Sequence, residues 1–218
     1  ECWVPGVSWC DAFARQMLGM LDEWGLIVFD PRWDGAKTLF AGIMRAELED
    51  PETSAALVND EADSFESARL RKRALRRPEG ATNLFLEQDG IRDAIYRDHD
   101  GYRAGDRSFS REELSGLFER DPSAFSPGAA LRPVCQDAAI PVAALIGGPG
   151  ERLYLSQLGP LYRHFGVDPS LVWPRAGFTV VEPKIVRNAD KEGIPPARMF
   201  EDVERLKRML AETSLPES

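Results

Sequence analysis

Cysteine and histidine are scarce, with 3 and 2 copies in 218 residues. Cys2, Cys10 and Cys135 are odd in number and show no CxxC or His-paired spacing. A disulfide framework and a structural zinc site are therefore both poorly supported, and no metal is expected. Reduced cytoplasmic thiols are the expectation. Positive charge is also in short supply: 27 Lys and Arg stand against 36 Asp and Glu, a net charge of −9. A surface built to displace counterions from a phosphate backbone is excluded, so no nucleic acid partner is expected. Long apolar runs are missing too. Leu26–Phe29 and Val142–Ile146 fall far short of the roughly 20 residues that cross a bilayer, so no membrane partner is expected. The start, Glu1 to Pro5, lacks an initiator Met and the basic and apolar regions of a secretory signal, and it reads as internal. No internal repeat or low-complexity tract interrupts the chain.

What is present is ordinary globular composition, 43% hydrophobic and 29% charged, enough to bury a core in one large or two small domains. Ser8 with Asp11 three residues on opens a helix whose apolar face is Phe13, Met17, Met20, Leu21 and Trp24. Gly25 stops it, and Leu26–Phe29 before Asp30-Pro31 reads as a short strand buried on both faces. After a second apolar face (Leu39, Phe40, Ile43, Met44, Leu48), Asp50-Pro51-Glu52 supplies a cap, a pre-set first turn and a first-turn acid. A long polar helix is expected from there toward Arg77. It ends in the basic run 69–77, whose charge suits either the helix C-terminal dipole or a bound phosphate. From Thr82 the period shortens. Asn83–Leu86, Gln88-Asp89-Gly90 and Ile91–Tyr96 read as a hairpin around a glycine turn, with Tyr102 and Phe109 continuing it. Ser110 with Glu113 opens another helix, closed by Pro122.

The last third alternates strand, loop and helix. Pro141–Ile146 is expected to be a strand, Gly147–Gly150 a tight loop, Glu151–Phe165 a helix ended by Gly166, and Leu171–Trp173 a strand. That order is a βαβ unit, with parallel strands and ligands gathering at their carboxyl ends. The loop backbone around Gly147 and Gly148 suits either an anion or a plain tight turn. Pro149 lacks an N–H, and Glu151 in the first turn would favour an amine or hydroxyl over phosphate. Arg132, Gln136, Asp137 and Arg175 are expected to converge on one strand edge. The guanidinium forks suit anions, the amide and carboxylate suit amines and hydroxyls, and an internal Arg to Asp pair is the alternative. Tyr154 and Gln157 share a helix face and either flank that cleft or pack in the core. His99 sits in a turn-like run and His164 in the last turn of a helix, where imidazolium suits the dipole. Cys135 has no activating base nearby.

Taken in order, Phe125-Ser126-Pro127, Leu131–Val134, Gln136-Asp137, Pro141, Gly147-Gly148-Pro149, Glu151, Tyr154, Gln157-Leu158 and Val172–Arg175 carry a combined pattern more specific than any single motif. With Asn83–Leu86, Asp89-Gly90, Gly25–Val28 and Asp30-Pro31 upstream, the chain resembles the bacillithiol biosynthesis cysteine-adding enzyme family over nearly its whole length. Two departures stand out. Gly128-Ala129-Ala130 follows Ser126-Pro127 where the family has Asn and bulkier residues, and the family's Gly-Gln-Gln type loop and His-Asp stretch have no counterpart.

The resemblance implies an α/β fold with a Rossmann-like parallel-sheet core (1–77 and 126–182). It also implies a small connecting β-rich insert (78–125) and the start of a C-terminal helical coiled coil (183–218) that supports a homodimer. The implied activity joins the carboxyl of L-cysteine to the amine of glucosaminyl-malate, with this chain a fragment of that ligase. Expected substrate-binding residues are Arg132, Gln136, Asp137, Gly147, Gly148, Glu151, Tyr154, Gln157 and Arg175, with no catalytic residue assigned. Activation of a free carboxylate usually uses a nucleotide such as ATP or ADP, and the resemblance does not settle how this family supplies it, so the cofactor stays open. Two alternatives stay open: a non-catalytic binding or dimerisation module on the same fold, and a nucleotidyltransferase-like enzyme.

Overall fold

The computed structural model describes residues 1–69, 74–195, 198 and 200–214, which divide into two units, 1–175 and 176–218. Local chemistry sets the first elements. Helix α1 (Trp9–Leu21) begins where the Ser8 hydroxyl accepts the Asp11 N–H at 3.1 Å. A 3-10 turn (Asp22–Trp24) then ends on Gly25, whose left-handed φ of 69° lets its N–H return to Asp22 O. Leu26–Phe29 forms no strand. It runs without regular structure, with Ile27 87% exposed, because a short apolar run becomes a strand only where a neighbour offers a ladder. Helices α2 (Asp34–Leu39) and α3 (Ala41–Glu49) follow, and α4 (Pro51–Ser67) is capped by the Asp50 carboxylate on the Thr53 N–H. Helix α4 ends at Ser67 instead of running toward Arg77. The centre of the basic run, 70–73, lies outside the described residues, and 74–77 resume without helix.

The main sheet is antiparallel, a correction to the expected parallel-sheet core. Strands β1 (Ala81–Gln88), β2 (Ile91–Asp98), β3 (Gly101–Ala104), β4 (Arg107–Ser110) and β5 (Phe125–Pro127) lie in the order β4-β3-β2-β1-β5. The first hairpin turns on Asp89 and Gly90, both at positive φ, as a two-residue turn matching strand twist requires. Ser110 and Glu113 exchange hydrogen bonds to start α5 (Arg111–Arg120). The segment 78–125 thus carries most of this sheet, and β1 pairs directly with β5 beyond it. Its side chains Leu84, Ile95, Leu114, Phe118 and Phe125 fill the larger core cluster with Met44 and Leu131. Each contributes about 1.5–3 kcal/mol through burial.

The parallel element is small. Helix α6 (Leu131–Ala139) precedes β6 (Ala144–Gly147), which pairs in parallel with β7 (Leu171–Pro174) across α7 (Pro149–Ser156) and α8 (Gly159–His164). The single helix expected over 151–165 breaks at Gln157 and Leu158, because Pro160 cannot donate and is accommodated only in a first turn. A second core cluster (Val58, Val134, Leu155, Leu158, Leu161, Tyr162) holds α4, α6, α7 and α8 together, with Leu145 and Val172 against it. In the second unit lie α9 (Pro183–Lys191) and α10 (Val203–Ser214). These helices do not themselves establish a coiled coil, which needs a second helix alongside.

Candidate functional site

The turn leaving β6 is built by glycine and proline. Gly147 O accepts the Arg175 N–H at 2.9 Å, extending the β6–β7 ladder by one rung. Gly148 is the N-cap of α7 and Pro149 its first residue. The Gly148 N–H donates to Glu151 Oε2 at 3.0 Å. A methyl group on Gly148 would sit 2.8 Å from Arg175 Nη2 and 3.6 Å from Glu151 Oε2. A guanidinium and a carboxylate therefore flank one buried glycine at the carboxyl ends of two parallel strands, where α/β sheets place ligands.

Along α7, Pro149, Arg152, Leu153 and Ser156 recur at i, i+3, i+4 and i+7 and line one wall of a cavity of ≈ 690 Å³. Tyr162 and Ser170 line its other side. Sequence reasoning passed over these four positions of α7 as a set, although their spacing alone places them on one face. Arg152 is the charged group of this lining.

The expected site residues part company. Gly147, Gly148, Glu151 and Arg175 are brought together. Asp137 is drawn into the protein instead. Its Oδ2 accepts the Tyr162 hydroxyl at 2.8 Å and the Ser170 N–H at 2.9 Å, tying α6 to α8 and to the start of β7. Burial, reinforced by the bond to Asp137, pushes the Tyr162 phenol well above its ordinary range. Gln157 is 1% exposed, and its amide bonds Leu75 N, Leu75 O and Val58 O at 2.9, 2.6 and 3.1 Å, so it is committed to the core and closed to a ligand. Tyr154 is half-buried against the second core cluster. Arg132 and Gln136 lie on α6 and not on the approach to a strand, Arg132 exposed and Gln136 half-buried.

Other reactive groups stand apart. Burial, with the Glu47 charge nearby, pushes the Cys135 thiol far up, the opposite of an activated nucleophile. His99 sits exposed in a turn at φ 47°, and His164 ends α8 with its ring edge-on to Phe165. Among the described residues no cluster of His, Cys, Asp and Glu is gathered for a metal, and no helix is long and apolar enough to cross a membrane. At Gly128 the N–H donates to Asn83 O at 2.7 Å, and a Cβ there would lie 3.1 Å from that oxygen and 3.2 Å from Phe85 Cε2. A side chain at this position would press on both neighbours by a few tenths of an ångström.

A family model for the bacillithiol biosynthesis protein BshC, N-terminal Rossmann-like domain, matches residues 2–176. The chain belongs to the BshC family. Similar relatives include the putative cysteine ligase BshC of Thermus thermophilus, 38% identical over 84% of this chain and 38% of that protein. The Salinibacter ruber putative cysteine ligase BshC is 36% identical over 94% of the chain and 37% of its own length. That of Chlorobaculum tepidum is 34% identical over 96% and 39%. The chain thus spans less than two fifths of the length of these BshC relatives, and the BshC match ends one residue beyond Arg175, at the boundary between the two units.

Proposed function

We propose that this chain is the substrate-holding part of a ligase that joins the carboxyl of L-cysteine to the amine of glucosaminyl-malate, forming an amide on the way to bacillithiol. What carries the reading is the opposed pair Glu151 and Arg175 about Gly148, in a chain belonging to the BshC family. An α-amino acid is a zwitterion. Arg175 offers a planar fork to its carboxylate, and Glu151, which already caps Gly148 with one oxygen, offers the other to its ammonium. Arg132, exposed on α6, is the group available to the malate carboxylates.

The loop does not fit the phosphates of a nucleotide such as ATP or ADP. Pro149 has no N–H, the Gly148 N–H is taken by Glu151, and that carboxylate repels a phosphate at the helix start. The same feature weighs against the nucleotidyltransferase alternative. The homodimer, coiled coil and cytoplasmic setting belong to this proposal as expectations for the full-length protein.

The test is isothermal titration of the full-length protein with L-cysteine and with glucosaminyl-malate, comparing wild type with Arg175→Ala, Glu151→Gln and Arg132→Ala. Loss of one charge-assisted bond of about 1.5–3 kcal/mol weakens L-cysteine binding by roughly 10-fold or more in the first two variants. Arg132→Ala acts on the acceptor instead. Unchanged affinity for both ligands in all three variants would remove the assignment.

A further inference from the structure

The cavity along α7 is separate from the Gly148 corner. Its α7 wall is formed at 149, 152, 153 and 156, whereas Glu151, which caps Gly148, leaves the helix on the opposite flank. At ≈ 690 Å³ the cavity is of the size that takes a small organic molecule. The charges assigned to L-cysteine and its acceptor, on Glu151, Arg175 and Arg132, all lie outside its lining.

The walls are largely apolar, with Pro149, Leu153, Pro169 and Val172 among them. The lining hydroxyls are mostly spent within the protein. Ser156 donates to Leu153 O at 2.9 Å and Tyr162 to Asp137 Oδ2 at 2.8 Å, which leaves the Ser170 hydroxyl uncommitted among the described residues. A sugar or a base, which needs several donors and acceptors, would find its polar groups unmatched here. Charge is what the cavity still offers. Arg152 lines it, and Arg163 of α8 reaches the rim, with Nη1 3.5 Å from the Cβ position of lining Gly159. Neither guanidinium has an ion pair or hydrogen bond among the described residues, although acids outnumber bases by 36 to 27. The Arg152 stem is held down, its Cγ 3.3 Å from the Cβ position of Gly147, so little freedom is lost when the guanidinium binds. The acid behind this wall, Asp137, is engaged: Oδ2 holds the Tyr162 hydroxyl and the Ser170 N–H, and Oδ1 is buried.

We propose that this cavity is a second binding site, for an organic acid that carries one carboxylate on an apolar body. The carboxylate pairs with Arg152, and the apolar body lies along Leu153, Pro169 and Val172. Arg163 adds positive potential at the entrance and draws the anion in. Burial of the apolar body supplies affinity in proportion to the area removed from water, and the guanidinium supplies the choice of an anion over an alcohol.

The test titrates octanoate, octanol and butyrate into the nitrogen-15-labelled 218-residue chain and follows the amide shifts. Octanoate is expected to saturate a site centred on Arg152, Leu153, Ser156 and Ser170. Octanol, which lacks the charge, and butyrate, which lacks most of the body, bind at least about tenfold more weakly. Arg152→Gln weakens octanoate by about tenfold or more, and Arg163→Gln by only about twofold to threefold. Leu153→Asp, at a position 41% exposed, removes octanoate binding without unfolding the chain. Equal binding of butyrate or octanol, shifts centred on exposed Trp9 and Phe13 of α1, or unchanged affinity in Arg152→Gln would overturn the proposal. If a variant does not fold, the three ligands on the wild-type chain decide alone.

Discussion

Replacing Gln157 with Leu keeps roughly the shape of the side chain and removes its amide. In the native protein that amide is 1% exposed and makes three hydrogen bonds, one from Leu75 N–H and two to the carbonyls of Leu75 and Val58. The Val58 carbonyl lies within α4, so it retains a helical donor and loses little. The Leu75 N–H and C=O lose their partners at about 1–3 kcal/mol for each unsatisfied group, which sums to about 2–4 kcal/mol after partial exposure to water. With a urea slope of about 2–3 kcal/mol per molar for a chain of this size, the midpoint falls by about 1 M. Urea titration of the 218-residue chain reads that shift, and hydrogen exchange reads its cause, since the Leu75 amide loses protection in the variant. Substrate affinity of the full-length variant stays unchanged under conditions where it is fully folded. A midpoint within about 0.2 M of wild type, or an unaltered Leu75 amide, would refute the reasoning. So would lost affinity without lost stability, which would return Gln157 to the substrate.

Gly148→Ala places a methyl group 2.8 Å from Arg175 Nη2. The guanidinium swings aside, so under the proposed function calorimetry of the full-length protein is expected to show L-cysteine binding weakened about tenfold with a melting temperature close to wild type. Phe118→Ala empties a fully buried site edge-on to Phe125, at a ring distance of 5.0 Å. It should cost about 3–5 kcal/mol by denaturant titration, and a loss below about 1 kcal/mol would contradict the packing. Under native conditions a thiol-alkylating reagent modifies Cys2 and Cys10, which are partly exposed, and spares buried Cys135. Mass spectrometry of the peptides counts the labels, and rapid labelling of Cys135 would contradict its burial and raised pKa.

Features that depend on a few adjacent residues were legible. The caps at Ser8, Asp50 and Ser110 form as their spacing requires, because each bond spans three residues and needs no distant partner. Asp89-Gly90 turns the hairpin for the same reason. The break after α7 was also written in Gly159-Pro160, whereas helix α6 was not expected, and Pro133 is accommodated in its first turn. At the candidate site, Glu151 with Gly148 is a local contact, whereas Arg175 joins them across a parallel strand pair.

The sequence by itself determined family membership, the helix starts at Ser8, Asp50 and Ser110, the glycine turns and the presence of a βαβ unit, since all of these reside in residue order and short-range geometry. Only the tertiary structure decided which strands pair, so that Leu26–Phe29 has no ladder and the larger sheet is antiparallel. It also decided which polar side chains are spent inside: Asp137 on Tyr162 and Ser170, and Gln157 on Leu75 and Val58. Polar groups look alike along a chain. Whether one meets a ligand or an internal partner depends on what folding brings beside it, because a buried donor or acceptor must be satisfied by whatever lies within about 3 Å.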